Sequence, residues 1–309
     1  MKINFIGLKE KLLNSKLSKI TVKNYLSQLQ KIKNIDISQV YLVKFASKKY
    51  KPLSFKNTVN AIIKYIKLTD ENNIKLIDQY LELSDYLSEL DIINPNIKTD
   101  KEQLKWTKFE NLLKVLNNYY LEIIKYNILN RKYDELNKSN KTILLNYIIL
   151  SLYLLQPPRR VQDYSKCLIV NYDVPRNNKY NYLIIKNDQV LHFEFNQYKS
   201  KAKFGKQIIN IKDKLKIVLN NYIKIVYENK PIYLLLYNNK PITANNLSKK
   251  ITNIFINSYL NKSISVNIIR HIYITNVLGT DELDKMENKK KMAYEMGHGL
   301  NTQQKYIKL

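Results

Sequence analysis

Along residues 1–93 the apolar positions recur every three or four residues, the spacing of one helix face, and the whole stretch reads as helical. Val22, Tyr25, Leu26, Leu29 and Ile32 share a face of a helix for which Thr21 is the expected N-cap. Val59, Ile62, Ile63 and Ile66 form the face of another, with Ser54 as its expected cap. Ile77, Tyr80, Leu81 and Leu87 make the stripe of a third, from about Asn73 to Leu90, and Ser38 to Ala46 is a shorter helix among them. The expectation is a small all-helical bundle over 1–93, with lysines on its outer faces. Asn94 to Lys101 is polar, contains Pro95 and has no period, so residues 94–104 are read as a linker.

Residues 105–309 begin with two long helical patterns, Thr107 to about Asn127 and Lys141 to Leu155, the second stopped by Pro157-Pro158. The rhythm then changes. Asn181 to Ile185, Gln189 to Phe195 and Gln207 to Ile211 read as strands; Asn187-Asp188 makes a tight turn between the first two, and a basic loop, Tyr198 to Lys206, joins the second pair. Helices resume over Lys212 to Val226, Ala244 to Tyr259, Val266 to Leu278 and Asp281 to Tyr294. The fold class expected is mainly α with a small antiparallel β-sheet, in two domains.

Composition narrows the class. The longest apolar run, Ile143 to Leu155, is broken by Asn146 and too short to cross a bilayer. The N-terminus has no signal-peptide pattern, and the single cysteine, Cys167, excludes an internal disulfide framework and a cysteine-built zinc site. An intracellular, soluble protein is expected, with no membrane partner. Lys and Arg number 52 against 26 Asp and Glu, a formal net charge of +26, and a field that positive attracts a polyanion such as DNA. A chain rich in Lys, Asn, Ile and Tyr carries the stamp of an AT-rich genome, which inflates lysine. It does not suppress acidic residues, and those have not kept pace.

The same bias makes its disfavoured residues informative. There are five arginines (Arg131, Arg159, Arg160, Arg176, Arg270), three histidines (His192, His271, His298) and five glycines. Where Lys would serve almost anywhere, an Arg marks a need for a planar, bidentate donor such as a phosphate demands. Metal-free phosphoryl transfer needs an in-line nucleophile, fixed cations for the non-bridging oxygens and an acid for the leaving alkoxide. In order, the chain offers Arg160 with Asp163 three residues on, Lys199 in the basic loop, Arg270 in Ser265–His271, Gly297-His298, and Tyr306. With 25 tyrosines, Tyr306 means little alone; its weight comes from following Gly-His. Lys199 shares its loop with Lys201, Lys203 and Lys206. Arg159 rivals Arg160, and the spacing to Asp163 favours Arg160. His192 and His271 are expected to be structural, and the glycines flanking His298 imply a tight turn there.

This ordered set resembles the tyrosine recombinase (phage-integrase-type) family. Pro158-Arg159-Arg160-Val161-Gln162-Asp163-Tyr164 is similar to its first-Arg box, Lys199-Ser200 to its hairpin lysine, Asn267-Ile268-Ile269-Arg270-His271 to its second-Arg box, and Met296-Gly297-His298 to its Gly-His box. Tyr306 stands at the nucleophile position. The resemblance covers about residues 105–309, and the N-terminal bundle is similar to the family's core-binding domain. The Arg-Arg-Val-Gln-Asp-Tyr segment, with the AT-rich bias, is also similar to integrases of large DNA viruses and virophages.

The resemblance implies a recombinase or integrase acting on double-stranded DNA as a homo-oligomer, a tetramer, without metal, ATP or other cofactor. Tyr306 would attack the scissile phosphate to give a 3′-phosphotyrosine and a 5′-hydroxyl; Arg160, Arg270 and His298 would hold the phosphate oxygens, and Lys199 would protonate the leaving oxygen. Asn267 departs from the pattern: it stands where the family has histidine, and an amide can hydrogen-bond a phosphate but cannot exchange a proton near neutral pH. Only three residues follow Tyr306, where many relatives carry a segment that docks on a neighbouring protomer. A type IB topoisomerase or a telomere resolvase would share the chemistry, a catalytically inactive DNA-binding relative would explain Asn267, and a membrane-surface protein would use only the lysines.

Overall fold

The computed structural model describes residues 1–15, 17–90, 97–228, 230–278 and 286–308. The chain divides into two compact units, residues 1–95 and 96–309.

The first unit consists, among its described residues, of α1 (Leu8–Asn14), α2 (Lys19–Gln30), α3 (Val40–Ser47), α4 (Pro52–Thr69) and α5 (Ile74–Glu89). Val22, Leu29, Val59, Ile62, Ile66, Ile77, Tyr80 and Leu87 meet in its core. The starts of two helices differ from expectation. Ser18, not Thr21, caps α2, its hydroxyl accepting from the Thr21 N–H. Pro52, not Ser54, opens α4, because proline lacks the N–H that a first helical turn leaves unused. Asn73 does cap α5. Leu81 is 43% exposed: the buried stripe of α5 runs Leu76, Ile77, Tyr80, Leu83, Ser84, Leu87, and position 81 falls beside it.

The second unit opens with α6 (Asp100–Lys105), a correction to the linker expected over 94–104. Thr99 and Glu102 form a capping box, which satisfies two end N–H groups that a short helix would leave bare; residues 94–96 lie outside the described residues. α7 (Phe109–Lys125) packs on α8 (Lys138–Leu154), which after a polar first turn is buried on nearly every side and forms the centre of the core. Each Leu- or Ile-sized side chain buried there stabilises the fold by about 1.5–3 kcal/mol. Asn137 caps α8, and the chain leaves it at Leu155, ahead of the two prolines.

After α9 (Val161–Tyr164) comes a five-stranded sheet of β1 (Leu168–Asn171), β2 (Tyr182–Lys186), β3 (Gln189–Phe195), β4 (Gln207–Asn210) and β5 (Ile232–Tyr233), in the order β4-β3-β2-β1-β5. Asn187 and Asp188 both take positive φ, 50° and 57°, the backbone that a two-residue hairpin turn requires. The sheet is mixed rather than antiparallel, because β1 and β2 run parallel. β1 is three apolar residues closed by Asn171, with no alternation to announce it, and residues 172–181 carry the chain back to start β2. Short α10 (Lys201–Phe204) interrupts the basic loop; α11 (Asp213–Val226), α12 (Ala244–Ile256), α13 (Val266–Leu278), α14 (Met286–Glu295) and α15 (Leu300–Gln304) complete the unit. Of the helix expected from Asp281, residues 281–285 lie outside the described residues. Among the described residues, no helix is long and apolar enough to cross a membrane.

Candidate active site

The C-terminal end of α14 organises the site. The last carbonyls of a helix have no partner within it and carry the negative end of its dipole. Here side chains from four other parts of the chain take them. Gln207 donates to the Tyr294 carbonyl at 3.1 Å, Arg159 to Glu295 at 2.8 Å, Arg270 to Met296 at 3.4 Å, and Arg160 to Gly297 at 3.1 Å; Ser200 also donates to Gly297, at 2.5 Å. Three of the five arginines thus meet at one helix end.

The Gly-His pair has a backbone reason. Gly297 has φ 68°, its N–H bonds to the Tyr294 carbonyl, and the His298 N–H reaches back to Ala293 at 3.0 Å. That pairing closes a helix with a left-handed residue, which favours glycine, and throws the next side chain off the helix end. A Cβ on Gly297 would also lie 2.8 Å from Arg159 Nη2. Gly299 needs no such licence: its φ is −89°, and it precedes α15.

The adjacent arginines divide into two roles. Arg159 is 0% exposed. Its Nε donates to Asp163 Oδ2 at 2.8 Å and its Nη2 to Gln207 at 2.9 Å, and its guanidinium lies 3.8 Å from the centre of the Phe195 ring. Arg160 is half-buried and, among the described residues, its guanidinium holds the Gly297 carbonyl. Asp163, whose spacing favoured Arg160 in the sequence, thus pairs with Arg159. Arg160 is the N-cap of α9, with extended backbone (φ −74°, ψ 155°), so the two neighbouring side chains project to opposite sides. Burial raises the Asp163 carboxyl, and the Arg159 charge opposes that rise.

Arg270, 1% exposed, extends from α13 to the Pro158 carbonyl at 2.6 Å, and its Nη2 lies 2.6 Å from His298 Nδ1. Since a guanidinium only donates, Nδ1 accepts and the His298 proton sits on Nε2. Burial, then the charges of Arg270, Arg160 and Arg159, push His298 down to about 3, so the ring stays neutral. His298 Nε2 and Arg270 Nε are buried without a hydrogen-bond partner among the described residues. Over them lies Tyr306, its ring 4.8 Å from the Arg270 guanidinium and stacked on His298 at 5.4 Å and 13°.

Arg160, Arg270, His298 and Tyr306 thus gather in one place. Lys199 is exposed and makes no hydrogen bond or ion pair among the described residues; its neighbour Ser200 is the one that grips Gly297. Of its rivals, Lys206 is committed to Glu194 at 2.8 Å. Asn267 is exposed on α13 and reaches His271, 3.4 Å away. Two residues gain importance from the structure. Arg159 is the strut of the site, and His271 has its ring 4.6 Å from Tyr306 and Nδ1 2.9 Å from the Tyr306 carbonyl. The signal for His271 was present in the scarcity of histidine, but only the fold brings it to residue 306.

The neutral His298 has a consequence for stability. Its folded pKa lies below the unfolded value of 6.5, so an unfolded chain takes up the proton first, and stability falls as pH drops from about 6.5 toward about 3. His271, also lowered by burial, acts in the same direction. His298→Gln is expected to flatten the fall in urea midpoint between pH 6.5 and 4; an unchanged slope would show that His298 is not the buried neutral group.

No family model matches the chain, and no curated protein matches it. Among solved structures, that of XerA recombinase is similar over 98% of this chain and 91% of its own, with a TM-score of 0.40 and 14% identity.

Proposed function

We propose that this chain is a site-specific DNA recombinase that cuts and rejoins strands through a tyrosine–phosphate link. The observation that carries the reading is a set of cationic and neutral donors beside one tyrosine: buried Arg270 and His298, whose Nε2–H has no partner among the described residues, against the Tyr306 ring, and half-exposed Arg160 on the neighbouring Gly297 carbonyl. A phosphate held there has its two non-bridging oxygens met by fixed donors, the arrangement that stabilises a phosphoryl-transfer transition state. The Tyr306 ring covers Arg270 in the DNA-free chain, so the phosphate takes the place of the ring as the hydroxyl turns toward phosphorus.

In the proposed step Tyr306 Oη bonds to phosphorus and the bond to the 5′-oxygen breaks, leaving a 3′-phosphotyrosine and a 5′-hydroxyl. Lys199 supplies the proton to the departing oxygen and the phenol proton leaves to water. Attack by a 5′-hydroxyl of a second strand reverses the step without ATP, since the covalent link keeps the phosphodiester energy. Exchange between two duplexes calls for several copies on DNA, a tetramer in this reading, and the net charge of +26 supplies attraction to both. The N-terminal helical unit is proposed as the core-binding domain.

The test offers the chain nicked suicide duplexes and looks for an adduct that survives denaturant. An adduct with joining of two sites is expected. Salt-sensitive binding without any adduct would make the chain a DNA-binding protein only; an adduct with relaxation of arbitrary plasmids and no joining would make it a topoisomerase. Affinity should fall steeply with salt as phosphate contacts release counterions, and a flat response would remove DNA as the partner.

A further inference from the structure

The short segment after the α15 helix is tied to α13 at two points one turn apart. His271 Nδ1 lies 2.9 Å from the Tyr306 carbonyl, which can only accept, so the imidazole donates there. Four residues along the same helix, Thr275 Oγ1 accepts the Lys308 N–H at 3.0 Å. The Lys308 ammonium, on a residue 8% exposed, then meets Glu102 of α6 at 3.3 Å. Glu102 is itself held by the Thr99 N–H and hydroxyl of the capping box, and its other oxygen lies 3.9 Å from His271 Nε2. Ile307 packs with Tyr273, Ile274, Met292 and Met296 between these ties.

We propose that His271 is a positioning residue for Tyr306: it holds the main chain of residue 306 against α13, so that the hydroxyl moves by side-chain rotation alone. The proposal rests on the reading of Tyr306 as nucleophile. α13 also carries Arg270, so the tie fixes the nucleophile main chain to the same rigid element as the principal phosphate donor. A nucleophile must come within a fraction of an ångström of its line of attack, and a displacement of about 1 Å costs on the order of 100-fold in rate. The role needs a donor at Nδ1, not a titrating base. Burial lowers the His271 pKa, and with Nδ1–H fixed by the carbonyl the neutral ring presents Nε2 as acceptor to the Asn267 amide. Asn267 thus supports His271 from one turn earlier on the helix.

The experiment compares His271→Phe, which fills the space without a donor, with His271→Asn, whose amide nitrogen occupies the same place on Cγ as Nδ1. Single-turnover cleavage of the suicide duplex, DNA affinity and hydrogen exchange of the 305–309 peptide are measured on each full-length chain. His271→Phe is expected to slow cleavage by ~10- to 100-fold at unchanged affinity and to speed exchange in that peptide. His271→Asn is expected to recover most of both. Thr275→Val, which removes the second tie, should show the same pattern more weakly and serves if His271→Phe fails to fold. Wild-type rates and exchange in both His271→Phe and Thr275→Val would overturn the proposal and leave the nucleophile standing, as would equal losses in His271→Phe and His271→Asn. Absence of any adduct from the wild-type chain would remove both readings together.

Discussion

Tyr306→Phe is expected to abolish the covalent adduct altogether while leaving the chain folded and able to bind DNA. Phenylalanine keeps the ring that stacks on His298 and covers the Arg270 guanidinium, and it loses only the oxygen. Loss of one hydroxyl from a ring whose packing is kept costs the fold about 1 kcal/mol, too little to unfold a domain of this size. Reaction has no such tolerance, because in the proposed mechanism the phosphate bond forms on that oxygen. The measurement is the denaturant-resistant adduct on a nicked suicide duplex, with binding and thermal midpoint recorded on the same sample. Persistence of the adduct in Tyr306→Phe would move the nucleophile elsewhere among the 25 tyrosines.

The neighbouring arginines should fail in opposite ways. Arg159→Met leaves Asp163 buried at 1% exposure without its counter-ion and strips donors from Gln207 and the Glu295 carbonyl. Breaking a buried pair from one side costs about 3–5 kcal/mol, enough to deplete the folded second unit. Chemical denaturation reads this directly, and adding Asp163→Leu should return part of the loss, since the orphaned carboxylate is then gone. Arg160→Ala loses one hydrogen bond at a half-exposed position, so its folding midpoint should barely move. Its cleavage rate should instead fall by about 100- to 1000-fold, the usual effect of losing one transition-state donor. A stable, inactive Arg159→Met beside an active Arg160→Ala would exchange the two assignments.

Much of the architecture is local in origin and was therefore readable along the chain. The 3.6-residue rhythm places α2, α4, α5, α7 and α8, and Asn187-Asp188 sets the β2–β3 hairpin, because each depends on residues within a turn or two of one another. Most of what the pattern misses depends on partners far away in the chain. β1 has no alternation because both its faces are covered, so its parallel pairing with β2 left no local trace. Leu81 matches an apolar stripe in sequence and misses it by one position in space. The cap of α2 moved three residues because several hydroxyls in a row could have served.

The candidate site divides along the same line. Sequence alone determined which residue types were too scarce to be casual and in what order they came: Arg160, Arg270, Gly297-His298 and Tyr306. It also determined the turn at Gly297, since a helix end that reverses through a left-handed residue is a local demand. Only the tertiary structure decided that Arg159 rather than Arg160 pairs with Asp163, that three arginines share the carbonyl end of α14, and that His271, one turn beyond Asn267, reaches the Tyr306 main chain. Those are contacts across 26 to more than 130 residues of chain, or side-chain directions fixed by an extended backbone, and neither leaves a period or a spacing in the sequence.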